Sequence, residues 1–175
     1  CLPCAAGRFS VKNATHGPIS CSLCPPGSYA ATAKQASCLY CPVGRFVNSY
    51  AATDCFACAA GSFQGALGAT SCRLCGNGTI TSGSGQQACL ACDNGFFSNT
   101  TGRSVCSACS PGTYSVKRSA SLGASSCGVC ARGSFSGFGQ SACLQCAAGK
   151  FAAQSGQSDC TRCQPGSFAG AVGST

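Results

Sequence analysis

A pair of cysteines separated by two residues recurs ten times along this chain, and that recurrence leaves little room for any fold other than a tandem array. The first cysteines are Cys1, Cys21, Cys38, Cys55, Cys72, Cys89, Cys106, Cys127, Cys143 and Cys160. The second are Cys4, Cys24, Cys41, Cys58, Cys75, Cys92, Cys109, Cys130, Cys146 and Cys163, which uses all twenty cysteines. A glycine stands three residues past each second cysteine. Two positions further comes Phe or Tyr in every copy except the one that holds Ile80. The stretch from Cys55 to Cys75, CFACAAGSFQGALGATSCRLC, displays the whole unit.

Leu, Ile, Val and Phe together number only 27 of 175 residues, too few for an ordinary packed core. Disulfides are the natural substitute. A bridge closing a loop of this size removes about 3 kcal/mol of unfolded-state freedom, and such cysteine use implies an oxidising, extracellular compartment. Three glycosylation sequons agree with that placement, at Asn13, Asn77 and Asn99. No apolar run is long enough for a membrane span or a signal peptide, so membrane insertion is not expected of this segment.

The copies are not all alike. From Cys21 to Cys106 the step is a strict 17 residues, whereas the first and seventh copies carry enlarged spacers, each with Ser-Val-Lys after the aromatic (Ser10 to Lys12, Ser115 to Lys117). Between the glycine and the aromatic, odd copies hold Arg8, Arg45, Thr79, Thr113 and Lys150. Even copies hold Ser28, Ser62, Phe96, Ser134 and Ser167. This alternation predicts five two-repeat modules, at 1–37, 38–71, 72–105, 106–142 and 143–175. Two bridge patterns fit. Self-contained modules would join Cys1 to Cys21 and Cys4 to Cys24, the pattern the alternation favours; a uniform ladder would join Cys4 to Cys21 and Cys24 to Cys38, leaving Cys1 and Cys163 over.

The expected fold is small, disulfide-rich β, an elongated rod of ten tandem repeats with short hairpins and almost no helix. No stretch shows helical spacing of apolar residues, and the short Gly-x-Phe step bounded by small and turn residues reads as a minimal hairpin within each repeat. The repeated glycine is expected at positive φ, with the aromatic lying over a neighbouring disulfide. At roughly 10 Å per pair of strands, ten repeats would make a rod about 100 Å long.

Other chemistries are weighed against the same residues. Regular Cys-x2-Cys pairs could hold structural zinc, but the residues between the cysteines vary freely and the spacers are Ser/Thr-rich with sequons. Calcium and acid–base catalysis both need clustered carboxylates, and the chain has no Glu and only Asp54, Asp93 and Asp159. Redox catalysis needs one exposed low-pKa thiol at a helix start. No enzyme activity, cofactor or metal is therefore expected. His16, the only histidine, reads as a turn residue. The net charge of +8 comes from basic residues scattered about one per repeat, unlike a nucleic-acid-binding face.

The run Cys-x2-Cys-x2-Gly-x-Phe/Tyr, followed by a small-residue spacer and another Cys-x2-Cys, resembles the ephrin-receptor-like and EGF-like cysteine-rich repeats. Such repeats occur in extracellular stalk and filament proteins, including those of protists. The resemblance implies a structural rod or surface filament, or else the stalk of a receptor or adhesin that binds a protein or glycan. The expected partners are further copies of the chain, met head to tail or laterally, together with covalently attached glycans. The last repeat stops where another cysteine is due, and placing Thr175 before Cys1 gives GAVGST then CLPC, close to the GALGATSCRLC of the fourth copy. Head-to-tail continuation is expected on that ground.

Overall fold

The computed structural model describes residues 2–13, 17–119 and 122–175; Cys1 and His16 lie outside them. Among the described residues there is no helix, and the regular structure consists of short strands. The basic element is a hairpin of two-residue strands. Ser28–Tyr29 pairs with Leu39–Tyr40, Arg45–Phe46 with Phe56–Ala57, and Ser62–Phe63 with Arg73–Leu74, all antiparallel. In each, the motif aromatic faces the first residue between the cysteines of the following copy, as Tyr29 faces Leu39. The hairpin therefore spans two repeats, where the sequence predicts it within one. Its second strand is the variable pair between the cysteines, which can vary because strand pairing uses the main chain.

A turn starts each hairpin. Ser28 N–H donates to Pro25 O at 3.1 Å across Pro26 and Gly27, and Gly27 has φ 83°, the left-handed geometry that a type II turn requires at this place. The Ser28 hydroxyl also donates to Pro25 O, at 2.7 Å, and Thr79 Oγ1 does the same to Gly76 O. Where an arginine takes the position, Arg45 Nη1 instead reaches Cys55 O at 2.7 Å.

Two compact units divide the chain, one formed by Cys1–Cys75 with Thr81–Cys89, the other by Gly76–Ile80 with Leu90–Thr175. The first contains a long hairpin, Arg8–Asn13 against Gly17–Leu23, with a register shift between Val11 and Lys12. The second contains its counterpart, Thr113–Ser119 against Leu122–Val129, shifted between Val116 and Lys117. These are the two enlarged spacers. The second hairpin joins Phe96–Phe97 and Ser107–Ala108 in a four-stranded sheet, with Phe97 parallel to Ala124.

Nine disulfides follow the uniform ladder, each running from the second cysteine of one repeat to the first of the next. They are Cys4–Cys21, Cys24–Cys38, Cys41–Cys55, Cys58–Cys72, Cys75–Cys89, Cys92–Cys106, Cys109–Cys127, Cys130–Cys143 and Cys146–Cys160. This overturns the favoured pairing of Cys1 with Cys21 and Cys4 with Cys24. The turn at Gly27 folds Cys24 back along the strand it starts, and the hairpin returns Cys38 to the same side, with Cα atoms 5.7 Å apart. Bridges also cross each boundary of the five expected ranges, for example Cys24–Cys38 and Cys58–Cys72, so those ranges do not close covalently.

Buried sulfur makes most of the interior. Around the Cys41–Cys55 bridge pack Val47, Tyr29 and Ala52, and around Cys146–Cys160 pack Ala152 and Phe135. The aromatic thus lies against a neighbouring disulfide, as the sequence predicts. The residue immediately after the aromatic is buried more deeply than the ring: Ala30, Val47, Thr81, Ser98, Ser136 and Ala152 are all within 2% of full burial.

Candidate functional site

The one arrangement that recurs throughout the chain is the joint between consecutive repeats. At each joint the N–H of the second cysteine donates to the motif glycine carbonyl of the preceding copy, from Cys24 to Gly7 (3.0 Å) through to Cys163 to Gly149 (3.0 Å). The glycine N–H reaches forward to the buried residue after the next aromatic, as in Gly27 to Val47 at 2.8 Å. That residue's own N–H donates onward, Val47 to Ala69 at 3.1 Å, and the second cysteine's carbonyl accepts from the next spacer, Cys41 O from Gly68 N–H at 2.8 Å. These bonds are main chain to main chain, except that Gly95 N–H donates to the Ser115 hydroxyl at 2.9 Å. The joint therefore satisfies the backbone that such short strands would otherwise leave unpaired.

A second contact skips one repeat. A Cβ built on Gly133 would lie 2.7 Å from the carbonyl carbon of Gly173, and one on Gly44 would lie 2.6 Å from that of Gly85. Backbone meets backbone there, and no side chain fits. The contact links alternate copies, odd to odd at Gly44 and even to even at Gly133. Outside the two long hairpins a spacer position is also left-handed, held by Gly68, Gly85, Gly102, Gly139, Gly156 and Gly173. Two copies place Lys34 (φ 69°) and Ala51 (φ 59°) there instead.

Of the residues singled out from the sequence, eighteen cysteines are consumed by bridges, and Cys163 is a free thiol. Sulfurs bonded to one another cannot serve as zinc thiolates. Asn77 and Asn99 are exposed, at a turn and in a spacer respectively. The side chain of Asn13 and the Thr15 of its sequon lie outside the described residues. Among the described residues no three of His, Cys, Asp and Glu come together as a metal-binding group. Asp54 and Arg45 form an exposed ion pair at 3.7 Å, a contact worth little in water. Recesses between hairpins, such as the one of about 400 Å³ lined by Ile80, Leu90, Asp93 and Phe96, are mainly apolar and shallow.

Sequence reasoning missed the buried residue after the aromatic. Its signal was a position filled in all ten copies by a small or uncharged residue: Ser10, Ala30, Val47, Gln64, Thr81, Ser98, Ser115, Ser136, Ala152 and Ala169.

Short antiparallel hairpins, each stapled to the next by a disulfide and a set of main-chain bonds, define an extracellular cysteine-rich repeat array. The chain belongs to the tyrosine-protein kinase ephrin type A/B receptor-like family, which it matches over residues 13–54, 44–85, 78–127 and 133–175. Each matched stretch holds two complete Cys-x2-Cys pairs. No curated protein matches the chain. Among the described residues no helix is long and apolar enough to cross a membrane.

Proposed function

We propose that the chain is a structural element of an extracellular fibre or surface filament, glycosylated at Asn77 and Asn99, and that it is not an enzyme. The observation that carries this reading is the joint. It recurs from repeat to repeat with the same bridge and the same cysteine-to-glycine bond, and it depends on the main chain, not on side chains that a ligand could select. Repeats that bind mainly their neighbours extend by addition and transmit continuity. The partners on this reading are further copies of the chain, with no role for nucleic acid.

A second reading, the stalk of a receptor or adhesin, draws support from the two long hairpins, which interrupt the regular spacing and offer larger strands to a protein or glycan partner. Electron microscopy of the native material separates the two. Continuous fibres of repeating subunits are expected, and isolated stalks rooted in a membrane would overturn the fibre.

A further inference from the structure

Two departures from the repeat meet at one place. Ile80 stands at the one motif position without an aromatic ring, and Phe96 is the one even-copy residue between glycine and aromatic that is not Ser. Both line the recess of about 400 Å³ between the fifth and sixth copies, together with Leu90, Ala91 and Asp93. The recess itself belongs to the fold. Its counterpart three joints later, of about 330 Å³, is lined by Phe135, Leu144, Gln145, Ala147 and Lys150. Only the lining differs: Ile80 replaces a ring, Asp93 stands in the place of Ala147, and Phe96 in that of Lys150.

The hairpins account for neither Phe96 nor Asp93. At the Phe96 position of other even copies, Ser28 and Ser62 are buried and donate their hydroxyls to the turn carbonyl at 2.7 Å. Phe96 forgoes that bond and is 38% exposed, in a recess it shares with Leu90, itself 66% exposed. Asp54 and Asp159 each accept the N–H of the cysteine that follows, at 2.7 Å. Among the described residues the Asp93 carboxylate has neither such a donor nor a cation beside it.

Asn77 stands next to this recess. It is exposed, in the second place of the turn from Gly76 to Thr79, which Thr79 N–H closes on Gly76 O at 3.1 Å with Gly78 at φ 84°. The turn runs directly into Thr79–Ile80, which pairs with Leu90–Ala91. Cys92 N–H donates to Gly78 O at 2.8 Å, so the register carried two places past Thr79 and Ala91 sets Asp93 across from Asn77. At the later joint the corresponding residue is Arg132, which belongs to no sequon.

We propose that the recess lined by Ile80, Leu90, Asp93 and Phe96 seats the innermost N-acetylglucosamine units of a glycan on Asn77. This rests on the reading of Asn77 as glycosylated. A pyranose has a face of C–H groups and a rim of polar ones. The C–H face meets the negative π-face of Phe96 and covers Leu90. The Asp93 carboxylate, which only accepts, takes a hydroxyl or the N-acetyl N–H from the rim. A concave, mainly apolar surface with one placed polar group is the usual make-up of a small-molecule site, and here the ligand is tethered at its edge. Sugar bound in this way ties the turn at Asn77 to the following copy and shields an apolar patch from solvent.

The test uses the full chain secreted from a glycosylating host, with the glycan isotopically labelled. Intact mass and peptide mapping read occupancy at Asn77. In the occupied protein, nuclear magnetic resonance should show the innermost sugar's N-acetyl methyl or ring protons upfield of their positions in the free glycopeptide, with Overhauser contacts to the Phe96 ring. Phe96→Ser, which matches the other even copies and so keeps the hairpin, should abolish both. The Cys92 N–H should exchange about ten-fold more slowly in the glycosylated protein than in Asn77→Gln, and Phe96→Ser should remove that difference. An occupied Asn77 whose innermost sugar resonates as in the free glycopeptide, or a glycan effect on exchange that survives Phe96→Ser, overturns the seat and leaves the glycosylated reading standing. An Asn77 without a glycan overturns both.

Discussion

Gly133 and Gly149 offer a matched pair for testing what the skip-repeat contact does. Both are left-handed, at φ 75° and 83°, so an alanine at either place carries a backbone penalty of about 1–2 kcal/mol. Alanine also reduces the freedom of the unfolded chain, which offsets about 0.4–1 kcal/mol. The net cost at Gly149, whose Cβ would meet nothing within 4 Å, is therefore about 1 kcal/mol or less. At Gly133 the new methyl would lie 2.7 Å from the Gly173 carbonyl carbon and 3.2 Å from its Cα, atoms of backbone that cannot turn aside. Overpacking of that kind adds about 1–3 kcal/mol. The two substitutions should thus differ by roughly 2 kcal/mol, about thirty-fold in local opening. Amide hydrogen exchange reads the difference directly. The Cys146 N–H, which donates to Gly133 O at 2.9 Å, should exchange about thirty-fold faster relative to wild type than the Cys163 N–H, which donates to Gly149 O at 3.0 Å. Equal acceleration in the two variants would refute the skip-repeat contact.

Ala51→Gly relieves a left-handed alanine and should stabilise its joint by about 0.5–1 kcal/mol, read as slower exchange of the amide at position 51, which donates to Cys24 O at 2.9 Å; faster exchange would contradict the reading. Val47, 1% exposed beside the Cys41–Cys55 bridge, should lose about 2 kcal/mol on change to Ala. Phe168→Ala, at 91% exposure, should shift single-chain stability by less than about 0.5 kcal/mol, and equal effects in denaturant melts would sink this contrast. Asn77→Gln and Asn99→Gln should each lower the intact mass of the secreted protein by one glycan; an unchanged mass means an unoccupied sequon.

The repeat, the absence of helix, the positive φ of the motif glycine and the seat of the aromatic on a disulfide were all legible, because each follows from a residue type at fixed spacing. Bridge order was not. An even number of evenly spaced pairs fits modules and ladder alike, and only the strand register decides between them. The second strand was hidden for a related reason. The side chains of Leu39, Phe56 and Leu90 point to solvent at 49%, 65% and 66% exposure, so the pattern carries no buried face to betray a strand. The buried residue after the aromatic escaped notice because Ala30, Val47, Thr81 and Ser98 share small size but not polarity, and a search for apolar positions passes over half of them.

The staggered bridges also govern how the chain answers a pull. Tension entering at a second cysteine crosses the disulfide to the next first cysteine, then runs along three peptide steps to the next bridge, bypassing the loop between cysteines 13 to 18 positions apart. With Cα atoms 5.7 Å apart across a typical bridge, such a path is taut at about 16 Å per repeat. A 17-residue repeat without bridges reaches about 60 Å before it is straight. An oxidised chain is therefore a short tether that resists stretching covalently. Reducing it adds close to fourfold slack, one loop at a time.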